Sequence, residues 1–99
     1  MNDRTHDEAM AELFREDPAY AQQLLNDILE EGEQAELLIA LRQMTKAFGG
    51  MQSVAEKANL NPTQLYRTLS ETGNPELRSL TAILKAMGLR LAVERLPAA

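Results

Sequence analysis

The sequence contains no cysteine and a single histidine, His6. The first absence excludes disulfide scaffolds and thiolate metal sites, and suits a reducing cytosol. With one histidine and no converging nucleophile–base set, the chain lacks the means for metal or covalent catalysis. Gly49-Gly50 has neither the strand nor the lysine of a phosphate loop. No apolar run approaches the roughly 20 residues that span a bilayer, and MNDRTHDEAM at the start lacks the apolar stretch of a signal peptide. These absences predict a cytoplasmic protein that is not an enzyme and carries no metal and no cofactor.

Basic residues are nearly missing from the first third. Residues 1–36 hold only Arg4 and Arg15 against eleven acids, a balance of −9. Residues 37–99 hold eight bases against four acids, a balance of +4, and the whole chain carries −5. Such asymmetry points to two surfaces with different partners. Glu30, Glu31, Glu33 and Glu36 beside a helix end read as a solvated face, not as a carboxylate site.

What is present reads as helices. A chain of 99 residues fits one domain with an arm. Residues 1–16 are expected to form an acidic, partly ordered N-terminal arm with a weak helical pattern in Met10, Leu13 and Phe14. Asp17-Pro18 supplies an N-cap and a first helical residue. Tyr20, Leu24, Leu25, Ile28 and Leu29 follow at helical spacing, and Gly32 is expected to close that helix in the left-handed conformation. A second helix over 33–48 turns Leu37, Leu38, Leu41, Met44 and Phe48 inward. Two short helices, 51–58 and 62–70, precede the turn Thr72-Gly73-Asn74-Pro75. A fifth helix over 76–87 buries Leu77, Leu80, Ile83 and Leu84 and ends at Gly88. The helical domain thus spans 17–88. Over 89–96 the apolar period changes to two: Leu89, Leu91, Val93 and Arg95 share one face of a strand. A lone strand has no internal partner, so antiparallel pairing with the same strand of a second copy is expected to cover it.

Residues 51–70 carry the functional pattern. Val54, Ala55, Ala58, Leu60, Leu65 and Leu69 sit where two crossing helices pack, and the small Ala55 permits close approach. Asn59 takes the turn position that needs left-handed angles, and Asn61-Pro62 restarts the chain. The outward face of the second helix offers Thr63, Gln64, Tyr66 and Arg67 to the major groove. Arg67 suits guanine O6 and N7, Gln64 suits adenine N6 and N7, and Thr63 suits a thymine methyl or a phosphate. Gln52 and Ser53 stand where free backbone N–H groups hold a phosphate. Asn74, just past the motif, is within reach of the DNA backbone, and Asn61, the N-cap of the second helix, is a further candidate DNA contact. Operator DNA with an inverted repeat is the expected ligand of a two-fold dimer.

MQSVAEKANLNPTQLYRTLSETGNPELRSLTAILKAMGL resembles a Cro/CI-type (XRE, lambda repressor-like) helix-turn-helix domain. The tail SETGNPELRSLTAILKAMGLRLAVE resembles more narrowly the probable addiction-module antidote family of HigA-type antitoxins, with its Ser-x-x-Gly-Asn-Pro turn and Gly-Leu-x-Leu ending. The likeness covers about residues 17–96. It implies a mainly α, five-helix fold with a C-terminal β-strand pairing across a homodimer. It also implies an antitoxin that binds a RelE/HigB-like mRNA interferase and represses its own operon. By position, Thr63, Gln64, Tyr66 and Arg67 match the base-facing part of the family's motif, and Gln52 its phosphate-contacting end. Asn59 stands where the broad motif favours Gly. A stand-alone phage-type repressor with no toxin partner is the alternative.

Overall fold

The structure, a computed structural model, describes residues 5–98. It contains six α-helices: α1 His6–Glu16, α2 Pro18–Glu31, α3 Gln34–Ala47, α4 Gly50–Lys57, α5 Pro62–Thr68 and α6 Leu77–Ala86. Five helices were expected. The extra one is α1, so the stretch read as a partly ordered arm is helical from His6 onward, while residues 1–4 lie outside the described residues.

Local chemistry starts α1, and packing against α3 orders it. Thr5 is its N-cap, with Oγ1 accepting from the Glu8 N–H at 3.0 Å. Asp7 and Glu8 occupy the first turn and Arg15 the last, each sign at the end the helix dipole favours. Burial completes the case: Ala11 and Phe14 are fully buried, and α1 packs against both α2 and α3. Gln43, only 4% exposed, donates from Nε2 to Asp7 Oδ1 at 3.0 Å and fastens the start of α1 to α3. Asp17 then serves two helices. Its N–H donates to the Leu13 carbonyl at 2.8 Å, and its Oδ1 accepts from the Tyr20 N–H at 3.1 Å to start α2.

Helix α3 is the centre of the fold, touching α1, α2 and α4. Leu38, Leu41 and Met44 are buried as expected, while Leu37 and Phe48 are half-buried at the margin. The other inward faces shift. In α2 the buried residues are Ala21 and Leu25, with Tyr20 and Leu29 largely exposed. In α6 Ile83 and Leu84 are buried and Leu80 packs against them, but Leu77 is 70% exposed. Leu77 occupies the first helical position, before the helix has closed on the core.

Two further expectations need correction. Gly32 has φ −87° and ψ 177°, an extended conformation. Its glycine is required by space, since a Cβ there would lie 2.8 Å from the Ile28 carbonyl oxygen and 2.9 Å from Ile28 Cγ2. The C-terminal strand is also absent: residues 89–98 form neither helix nor ladder. Strand pairing needs a partner that one chain does not supply. Leu89 belongs instead to the end of α6. Its N–H donates to the Leu84 carbonyl at 2.8 Å, and the Gly88 N–H donates to Lys85 at 3.0 Å, with Gly88 at φ +81°. These two bonds make a Schellman motif, and the half-buried Leu89 packs against the core.

Candidate nucleic-acid interface

Helices α4 and α5 meet through a four-residue turn, 58–61, whose geometry follows from its sequence. The Leu60 N–H donates to the Ala55 carbonyl at 2.8 Å, and the Asn59 N–H donates to Glu56 at 3.2 Å. Asn59 sits between them at φ +60°, the conformation a Schellman motif requires and Asn tolerates. Asn61 then caps α5, its Oδ1 accepting from the Gln64 N–H at 2.7 Å, and Pro62 takes the first helical position. Val54, Ala55, Leu65 and Leu69 are fully buried between the helices, so the register of α5 on the core is firmly set.

That register leaves one polar face outward. Thr63, Gln64 and Arg67 are exposed and line a shallow concavity together with Asn61. Tyr66 stands beside them, 61% exposed. The carbonyl of Asn61 is occupied by the cap, which leaves its amide N–H groups as donors. Gln52 is exposed on the first turn of α4, whereas Ser53 is half-buried beside Gly49. Gly49 starts α4 without a side-chain cap, so the first-turn N–H groups have no capping oxygen. Asn74 is exposed, with Oδ1 3.5 Å from Gln34 Nε2. Gln52, Ser53, Tyr66 and Asn74 are outside the concavity's lining.

Two positioning residues, Arg42 and Gln34, carry no local sequence signal. Arg42, on α3, donates from Nη1 to the carbonyl of Leu69, the residue that ends α5. A guanidinium at that end also complements the helix dipole. Ser70 donates from Oγ to the Arg67 carbonyl at 2.9 Å, and the Gly73 N–H donates to Ser70 at 2.8 Å. Gln34 donates from Nε2 to the Gly73 carbonyl at 3.0 Å. Together they explain the Ser70-x-x-Gly73-Asn74-Pro75 turn: it closes α5 and moors the following loop to α3. Only the turn itself was a local signal, because Arg42 and Gln34 act across 27 and 39 residues of chain. Arg42→Ala should lower unfolding free energy by about 1–2 kcal/mol, as expected for a part-buried bond to a charged donor. Chemical denaturation checks it, and Arg42→Lys should restore only part because a lysine lacks the guanidinium's reach and planar fork.

A small helical protein with a capped, outward-facing polar helix is the class this geometry defines. The family described as probable addiction module antidote protein matches residues 5–95, so the chain belongs to that family. An uncharacterised protein of Haemophilus influenzae is 34% identical over 71 residues, covering 72% of this chain and 72% of its own length. No solved structure matches the chain. The family match includes α1, which the sequence resemblance had left out.

Proposed function

We propose that the protein is the antitoxin of a type II toxin–antitoxin module, which binds a RelE/HigB-like mRNA interferase and represses its own operon as a DNA-binding dimer. An addiction-module antidote implies a toxin partner. The observation that carries the DNA half is the exposed set Thr63, Gln64, Tyr66 and Arg67 on a helix whose register is fixed by buried leucines and an Asn61 cap. In this reading α4 and α5 form a helix-turn-helix and α5 enters the major groove.

The toxin half is supported by how charge is placed on α2. Asp27, Glu30 and Glu31 are all exposed and crowd its last turns, where the dipole favours cations, and no basic residue stands in the last turn. Asp27 and Glu31 are also four apart, a like-charge spacing that weakens a helix. A basic partner offsets both penalties when it covers this face. Membership of the antidote family favours this reading over a stand-alone repressor.

The test is co-purification with the product of the adjacent gene, followed by an operator shift assay. A stoichiometric complex with a small basic protein, and growth rescue by co-expression, are expected; no complex and no rescue would sink the toxin half. Arg67→Ala should cost about 1–3 kcal/mol in operator binding and relax specificity at one base step, with folding unchanged because the side chain is exposed. Affinity should also fall steeply with salt. An unaltered affinity in the Arg67 variant would remove its base-reading role.

A further inference from the structure

Beyond Leu89, no residue from Arg90 to Ala98 makes a hydrogen bond among the described residues. This tail is exposed throughout, Val93 to 99% and Leu96 to 85%. It runs beside α2, and a groove of ≈ 880 Å³ lined by Asn26, Leu29, Glu30, Leu91 and Leu96 lies along it. Free backbone groups next to uncovered apolar side chains form a template for another strand.

We infer that the occupant is the tail of a second copy, paired antiparallel in one register with the two-fold axis at Ala92. The inference rests on the dimer reading above and adds the register to it. A two-fold axis between antiparallel strands stands perpendicular to the ribbon and keeps each side chain on its own face. Residues of equal parity must therefore oppose each other, leaving dyads at 91, 92 or 93 as the central choices.

Side-chain chemistry decides among them. A dyad at Val93 sets Leu91 against Arg95 and Arg90 against Leu96, apolar against charged on both faces. A dyad at Leu91 needs Leu89 opposite Val93, but Leu89 packs against its own core with its N–H bonded to Leu84. It also leaves Arg90 facing Ala92. A dyad at Ala92 sets Leu91 against Val93 twice on one face and Arg90 against Glu94 twice on the other. Both are favourable cross-strand pairs. The ladder then runs from Arg90 to Glu94 and needs nothing of Leu89. The incoming strand lies along the groove beside Leu29 and leaves Asp27 and Glu31, which are outside the lining, open to the toxin.

Because the chain has no cysteine, the register can be read by single substitutions. Under mild oxidation A92C should give a covalent dimer, since directly opposed residues stand about 4.5–5.5 Å apart. L91C and V93C, each diagonal to its own copy at roughly 7–8 Å, should stay largely uncross-linked, whereas the double variant L91C/V93C should cross-link. R90E and E94R should each weaken the dimer about tenfold in sedimentation equilibrium, and the double reversal should restore it. Cross-linking of L91C or V93C in place of A92C, or no restoration by the double reversal, would overturn the register while leaving a dimer in place. A wild-type chain that sediments as a monomer at operator-binding concentrations would overturn the dimer reading itself.

Discussion

Phe14→Ala is expected to remove about 3–5 kcal/mol of stability, the usual cost of truncating a fully buried phenylalanine. The total for a small domain is roughly 5–15 kcal/mol, so this single change should bring the chain close to unfolding. Phe14 is 0% exposed, lies in the core cluster, and has its ring 6.1 Å from that of Tyr20. A residue in a solvated arm would give no such effect. The helix also carries the Gln43–Asp7 bond and two helix-packing faces, which the cavity would loosen together. Denaturation followed by circular dichroism measures it. Phe14→Leu, which keeps most of the volume, should cost markedly less. An unchanged midpoint for Phe14→Ala would mean that α1 contributes nothing to the core.

The difference between the arm the sequence suggests and the helix the structure holds has a physical origin. Only Ala11 and Phe14 of α1 are buried. One large apolar residue with a small one is too little periodicity to mark a helix, and the nine other, mainly polar residues of α1 hide it. What orders α1 is contact with α3, which no local pattern encodes. Signals that act locally were legible. Asp17-Pro18, Asn61-Pro62, Asn59 and Gly88 each play the part their chemistry suggests. Gly32 was legible as a stop but for the wrong reason, since a steric demand and a left-handed turn both select glycine. The face of α5 could be read because buried Leu65 and Leu69 fix which residues face out. The side chains that hold α5 in place could not. Arg42 and Gln34 look like ordinary surface residues until the fold brings Leu69 and Gly73 to them.

Gly73→Ala should have the second large effect. A Cβ at this position would lie 2.2 Å from the Thr68 carbonyl oxygen, 2.9 Å from Thr68 C and 3.0 Å from the Ser70 carbonyl oxygen. All three are backbone atoms at the end of α5, so no side chain can swing aside. The left-handed region plays no part here, as Gly73 is absent from the positive-φ positions. The loop must move, and in moving it stretches the Gly73–Ser70 bond of 2.8 Å and the Gln34–Gly73 bond of 3.0 Å. Overpacking against backbone with the loss of two bonds should cost on the order of 2–3 kcal/mol, or a melting temperature lower by about 10–20 °C for a domain of this size. If α5 reads DNA, operator affinity should fall as well, although no base-facing residue has changed, because the C-terminal end of α5 loses its mooring to α3. Asn74→Ala at the neighbouring exposed position should cost under about 1 kcal/mol and separates loop displacement from loss of a polar side chain. A Gly73→Ala chain that melts with the wild type would show that this turn tolerates a Cβ, and would detach the Ser-x-x-Gly-Asn-Pro motif from the positioning of α5.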